Sequence, residues 1–90
     1  MSRTIVTLVG KDHVGIIAAV CNFFADNNIN ILDIKQTTVQ DYINMILIVD
    51  TSGYPQGFDK LNEGLQQVGE KVGCIIKATH EEIFEMMHRI

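Results

Sequence analysis

A chain of 90 residues, 47% hydrophobic and 20% charged, fits one domain and leaves no room for a second core. Its net charge of -4 argues against a broad contact with a phosphate backbone, so nucleic acid is not an expected partner. No apolar run approaches the roughly 20 residues of a membrane helix, and Met1-Ser2-Arg3-Thr4 lacks the apolar region of a signal peptide, so a cytoplasmic chain with no membrane partner is expected.

Thr4 to Val9 reads as a buried strand rich in β-branched residues. Gly10-Lys11-Asp12-His13-Val14-Gly15 follows as a short glycine loop. A helix from His13 to Ala25 carries Ile16, Ile17, Val20, Cys21 and Phe24 as an apolar stripe, with Asp12 placed as its N-cap. A loop in this position presents the free N–H groups of the first helical turn and the positive end of the dipole, which suits a carboxylate or phosphate. The two glycines would equally serve a tight turn and close packing, and spacing alone does not choose. Asn27-Asn28 stops the helix, because asparagine tolerates the left-handed conformation.

A second strand begins near Ile29. From Asn30 to Gln40 it carries Asp33, Lys35, Gln36, Thr37, Thr38 and Gln40, the pattern of a sheet edge with one wet side. Gln40-Asp41-Tyr42 makes the turn into a third strand, Ile43 to Asp50, where Met45, Leu47 and Val49 face one way and Ile46 and Ile48 the other. Both faces of that strand want cover. After the loop Thr51 to Gly57, the residues Phe58, Leu61, Leu65, Val68 and Val72 step by three and four along a second helix, with Gly64 and Gly69 weakening it and Gly73 closing it. Cys74 to Thr79 supplies a fourth strand. Thr79-His80-Glu81-Glu82 fits a capping box for a short helix over residues 81–90, with Ile83, Met86, Met87 and Ile90 on one face. At about 10 residues such a helix needs tertiary packing, either on the uncovered sheet surface or on a partner chain.

This element order predicts an α+β, ferredoxin-like βαββαβ domain over residues 1–90. It has a four-stranded antiparallel sheet, two helices on one face, a core of residues 3–80 and the added C-terminal helix. The first and third strands should be central and the second at an edge. Cys21 and Cys74 form no close pair and read as reduced core residues. His13, His80 and His88 form no metal-ligand spacing, and no nucleophile stands beside a base, so neither a metal, a cofactor nor an enzyme is expected. An acylphosphatase shares the plan but needs an arginine in the loop. An RNA-recognition domain would want exposed aromatics and basic surroundings on strands one and three.

The run Gly10-x-Asp12-x-x-Gly15-Ile16-Ile17 after a strand, then a helix and Asn28-Ile29-Asn30-Ile31, resembles the ACT domain, a small regulatory module that commonly binds amino acids. The stretches Cys74-Ile75-Ile76-Lys77 and His80-Glu81-Glu82-Ile83-Phe84 are similar to those of small free-standing bacterial ACT-domain proteins of unknown function. The resemblance implies a homodimer or higher homo-oligomer. The ligand would lie between the loop after the first strand of one subunit and the second strand of the other. The ligand-binding residues it implies are Asp12, His13, Val14, Gly15 and Ile16 of the loop and Asn30 from across the interface. Val14 stands where many members have proline, and Gly10 where a serine-sensing class carries a histidine. An amino-acid zwitterion would set its ammonium on Asp12 and its carboxylate on the amides near Val14, Gly15 and Ile16, unless Asp12 only caps the helix. Two functions are thus expected as alternatives. One is a homodimeric sensor of an amino-acid-like small molecule; the other is an interaction module without a small ligand, acting on a partner enzyme through its sheet face and C-terminal helix.

Overall fold

The computed structural model describes residues 3–81. The order is β1 (Arg3–Lys11), α1 (Ile16–Asp26), β2 (Asn30–Val39), β3 (Tyr42–Asp50), α2 (Phe58–Val72) and β4 (Cys74–His80). The strands form one antiparallel sheet in the order β2-β3-β1-β4, so β1 and β3 are central, as their apolar content requires. The expected helix over residues 81–90 falls outside the described residues from Glu82 onward.

The core lies between the sheet and the two helices. Val6 and Leu8 of β1, Ile43, Met45, Leu47 and Val49 of β3, and Ile76 and Ala78 of β4 meet Ile16, Val20 and Phe24 of α1 and Leu61 and Leu65 of α2. The stripe on α1 is narrower than its sequence suggests, since Ile17 is exposed and Cys21 half-buried. On β3 the alternation holds: Ile46 and Ile48 are half-buried on the opposite face. Ile34, Gln36 and Thr38 of β2 share the helix side with their register partners Leu47, Met45 and Ile43, yet all three are exposed. The helices stop short of this edge.

Several boundaries differ from the sequence reading. β1 runs two residues past Val9, so Gly10 belongs to the strand, paired with Ile43 and Cys74, and not to the loop. A Cβ at Gly10 would sit 2.5 Å from Cys74 Sγ and 3.0 Å from Cys74 Cα, so this glycine exists for close strand approach. Tyr42 is likewise in β3, not in the turn. The residue is 59% exposed beside Lys11 on the face opposite the helices, so that strand does carry one exposed aromatic. A lone ring on an acidic chain is still no stacking platform for nucleic acid.

The glycines of α2 have a packing reason. Gly69 is buried against β4, and a Cβ there would lie 2.5 Å from the Cys74 carbonyl oxygen, while a Cβ at Gly64 would lie 2.7 Å from the Phe23 ring. Alanine gains about 1 kcal/mol of helix propensity over glycine, but backbone cannot yield as a side-chain tip does. Gly69→Ala is therefore expected to destabilise the fold by about 1–3 kcal/mol in denaturant titration. A neutral or stabilising result would mean that α2 does not touch β4 at this point.

Candidate ligand-binding site

The segment between β1 and α1 starts from a fixed strand end. The Asp12 amide donates to the Asp41 carbonyl at 2.7 Å, tying the exit of β1 to the β2–β3 turn. Asp12, His13, Val14 and Gly15 are all exposed, and Val14 is 98% so. Gly15 is the N-cap, with φ of 98°, a left-handed conformation that a side chain would strain. Here the expectation for Asp12 is corrected. It lies three residues before the N-cap and the helix begins at Ile16, not His13, because the extended β1 and the left-handed turn at Gly15 take up the residues between. No side chain caps α1, which leaves the amides of its first turn for solvent or a bound anion.

His13 reaches the C-terminal end of α2. Its Nε2 lies 2.5 Å from the carbonyl oxygen of Val72, the last residue of α2, and its Nδ1 lies 3.0 Å from the Val14 carbonyl. These acceptors, Val72 first and then Val14, raise its pKa above 6.5, with a smaller upward push from the Asp12 charge and partial desolvation acting the other way. Burial, and after it the Asp12 charge, holds the Cys74 thiol above its usual value, so it stays protonated at neutral pH. Asp12 is thus the carboxylate whose field reaches both groups.

Of the residues expected at the site, the structure gathers Asp12, His13, Val14 and Gly15 into one exposed loop. Ile16 contributes only backbone, because its side chain is in the core. Asn30 is not brought to them. It pairs with Asp50 at one end of β3 while Lys11 pairs with Tyr42 at the other, eight residue steps or about 27 Å apart. One copy of the chain offers one wall. Val72 and Asp41, whose carbonyls meet the loop only through tertiary packing, have no local signature in the sequence.

A groove of about 610 Å³ lies elsewhere, between α2 and the outer side of β4, lined by Asn62, Gln66, Glu70 and Cys74 to Ala78. It has no part in the loop. His80, considered above as a metal ligand, stacks on Phe58 with ring centroids 4.0 Å apart. Among the described residues no group of His, Cys, Asp or Glu is placed to hold a metal ion, and no helix is long and apolar enough to cross a membrane.

The ACT domain model matches residues 4–63, which take in β1, the loop, α1, β2 and β3 and reach into α2. The chain belongs to the ACT domain family. It is 43% identical over 90 residues to a UPF0237 protein of Bifidobacterium longum and 42% identical over 90 residues to one of the archaeon Methanocaldococcus jannaschii, spanning 100% of both chains in each case. The UPF0237 resemblance therefore extends beyond bacteria. Among solved structures, an ACT domain protein from Streptococcus pneumoniae superposes with a TM-score of 0.81 at 33% identity, covering 93% of this chain and 94% of that one. ACT domains are generally regulatory; they commonly bind small ligands and oligomerise.

Proposed function

We propose that this ACT domain is a regulatory sensor of an amino acid or similar small zwitterion, and that it works as a homodimer. The observation that carries the reading is the uncapped start of α1 beside an exposed carboxylate, with Asp12 for an ammonium group and the amides around Gly15 and Ile16 for a carboxylate. The missing wall fits a second copy. If two β2 edges pair antiparallel about a two-fold axis, the Asn30 end of one strand comes beside the Val39 end of the other, the end at which the Asp12–Gly15 loop stands. Ligand binding would then bridge the subunits and shift their association or their affinity for another protein.

Calorimetry of the purified chain against the standard amino acids tests this. A hit is expected that Asp12→Ala weakens about tenfold or more, the loss typical of one charged hydrogen bond. Ligand at 100 times its Kd should also add about 2.7 kcal/mol of stability. A flat response to every amino acid would overturn the reading. It would favour an interaction module that uses the sheet face opposite the helices, where Val9, Val39, Tyr42 and Ile75 are exposed.

A further inference from the structure

We propose that His13, as an imidazolium, is a positioning residue that pins the Asp12–Gly15 loop to the C-terminal end of α2, so that loss of its proton frees the loop. The inference deepens the reading above, because it gives the ligand-facing loop a built-in dependence on pH.

The argument begins with the ring's two partners. A neutral imidazole has one N–H and one bare nitrogen. Here both nitrogens face carbonyl oxygens, of Val72 and of Val14. In either neutral tautomer one contact would set lone pair against lone pair, whereas the imidazolium donates to both. Position adds to this. Val72 closes α2, and its carbonyl is among the last-turn acceptors that the helix cannot satisfy itself, at the negative end of the dipole. The amide of the C-cap Gly73, at φ 71°, goes back to the Gly69 carbonyl, and the Cys74 thiol donates to the Val72 carbonyl at 3.7 Å, so His13 makes the shorter of that carbonyl's two side-chain contacts.

The charged and titratable groups of the elements meeting here are few. Asp12 beside the ring favours the proton, and Lys11 at the end of β1 and Lys71 in the last turn of α2 are the cations of the elements that meet here. Cys74 opens β4 with a protonated thiol, and Asp41 lends its carbonyl to the Asp12 amide. The two carbonyl contacts and the Asp12 charge outweigh desolvation, since the net direction is upward. Because the folded-state pKa lies above 6.5, the contribution to stability is complete below the unfolded value and is lost as pH rises through the folded one.

The pin also has a geometric consequence. β1 fixes the loop at one side through Lys11, and α1 fixes it at the other through Gly15. His13 is the side chain that joins the loop to the junction of α2 and β4. Unpinned, Asp12 and the first-turn amides lose their common setting, and affinity for a zwitterion falls on the alkaline side.

The test is an NMR titration of the ligand-free chain from mildly acidic to mildly alkaline pH. Both ring nitrogens of His13 should carry protons at the acidic end and titrate with an apparent pKa above 6.5. The amides of residues 12–15 and of Val72 to Cys74 should shift with that same midpoint. His13→Gln should remove the midpoint from both sets. His13→Lys, which keeps a cationic donor, should hold the α2-end amides near their acidic positions across the range. The pin is overturned if His13 titrates at or below 6.5, if the α2-end amides ignore its titration, or if their midpoint survives in His13→Gln. With no ligand present, these outcomes are separate from an amino-acid screen, which can fail without touching the pin.

Discussion

Phe24→Ala is expected to cost about 3–5 kcal/mol, a large share of the total stability of about 5–15 kcal/mol typical of such a domain. Among the described residues Phe24 is the largest of the fully buried side chains. It sits two turns after Ile16 and one after Val20 on the buried face of α1, edge-on to Phe23 with centroids 5.7 Å apart. Phe23 in turn covers Gly64 of α2, so Phe24 lies where both helices and the sheet converge. Its backbone is anchored as well, because its carbonyl accepts the Ile29 amide at 2.9 Å where the chain turns into β2. Collapse into the vacated volume is thus restricted and the cavity term stays high. Denaturant titration should show the midpoint falling with an unchanged slope. Ile17→Ala on the exposed side of the same helix should stay within about 0.5 kcal/mol. A loss below about 1 kcal/mol at Phe24 would contradict the packing of α1.

The same residues show what a sequence can and cannot announce. Spacing within one segment is local. The steps Ile16-Val20-Phe24 and Leu61-Leu65, and the alternation Met45-Leu47-Val49, therefore mark their elements, and the polarity of Asn30 to Gln40 marks an edge. Element ends depend on what lies across the fold. Gly10 looks like a loop glycine until Cys74 is set beside it, and Gly69 looks like a helix defect until β4 passes beneath it. Asp12 had the right type for an N-cap, but the pairing of Lys11 with Tyr42 and the left-handed turn at Gly15 moved the helix start beyond its reach. The loop itself was legible as a candidate site because its chemistry is contiguous. The contact from His13 to Val72 spans 59 residues and has no local signature.

Ile34→Pro is expected to abolish or severely weaken the proposed dimer while leaving each subunit folded. Which backbone groups face outward follows from α2. The Asn62 side chain donates to the Ala78 carbonyl at 3.3 Å and accepts its amide at 2.8 Å, so those groups point away from β1. Alternation across the antiparallel pairs then turns the even residues of β1 toward β3 and the even residues of β3 toward β2. In β2, Asp33, Lys35, Thr37 and Val39 therefore face β3, and Ile34, Gln36 and Thr38 present their amides and carbonyls to the open edge. The two edges are thus treated differently. That of β4 is covered at Ala78 by a side chain from α2, whereas in β2 the Ile34 amide is held by Asp33 Oδ1 of its own strand at 2.9 Å. A two-fold axis at Ile34 would release Asp33 to meet Lys35 of the second copy, an opposite-charge cross-strand pair. Proline removes the Ile34 amide from both copies and sets its ring into the approach. Two lost hydrogen bonds amount to about 1–3 kcal/mol, so association should weaken by about one to two orders of magnitude, more if the ring clashes. An edge strand tolerates proline where its amide faces outward, so far-ultraviolet circular dichroism should be unchanged. Sedimentation velocity decides the matter. A wild-type dimer replaced by monomer supports pairing through β2; a wild-type monomer, or a variant that remains dimeric, rules it out and leaves the loop with a single wall.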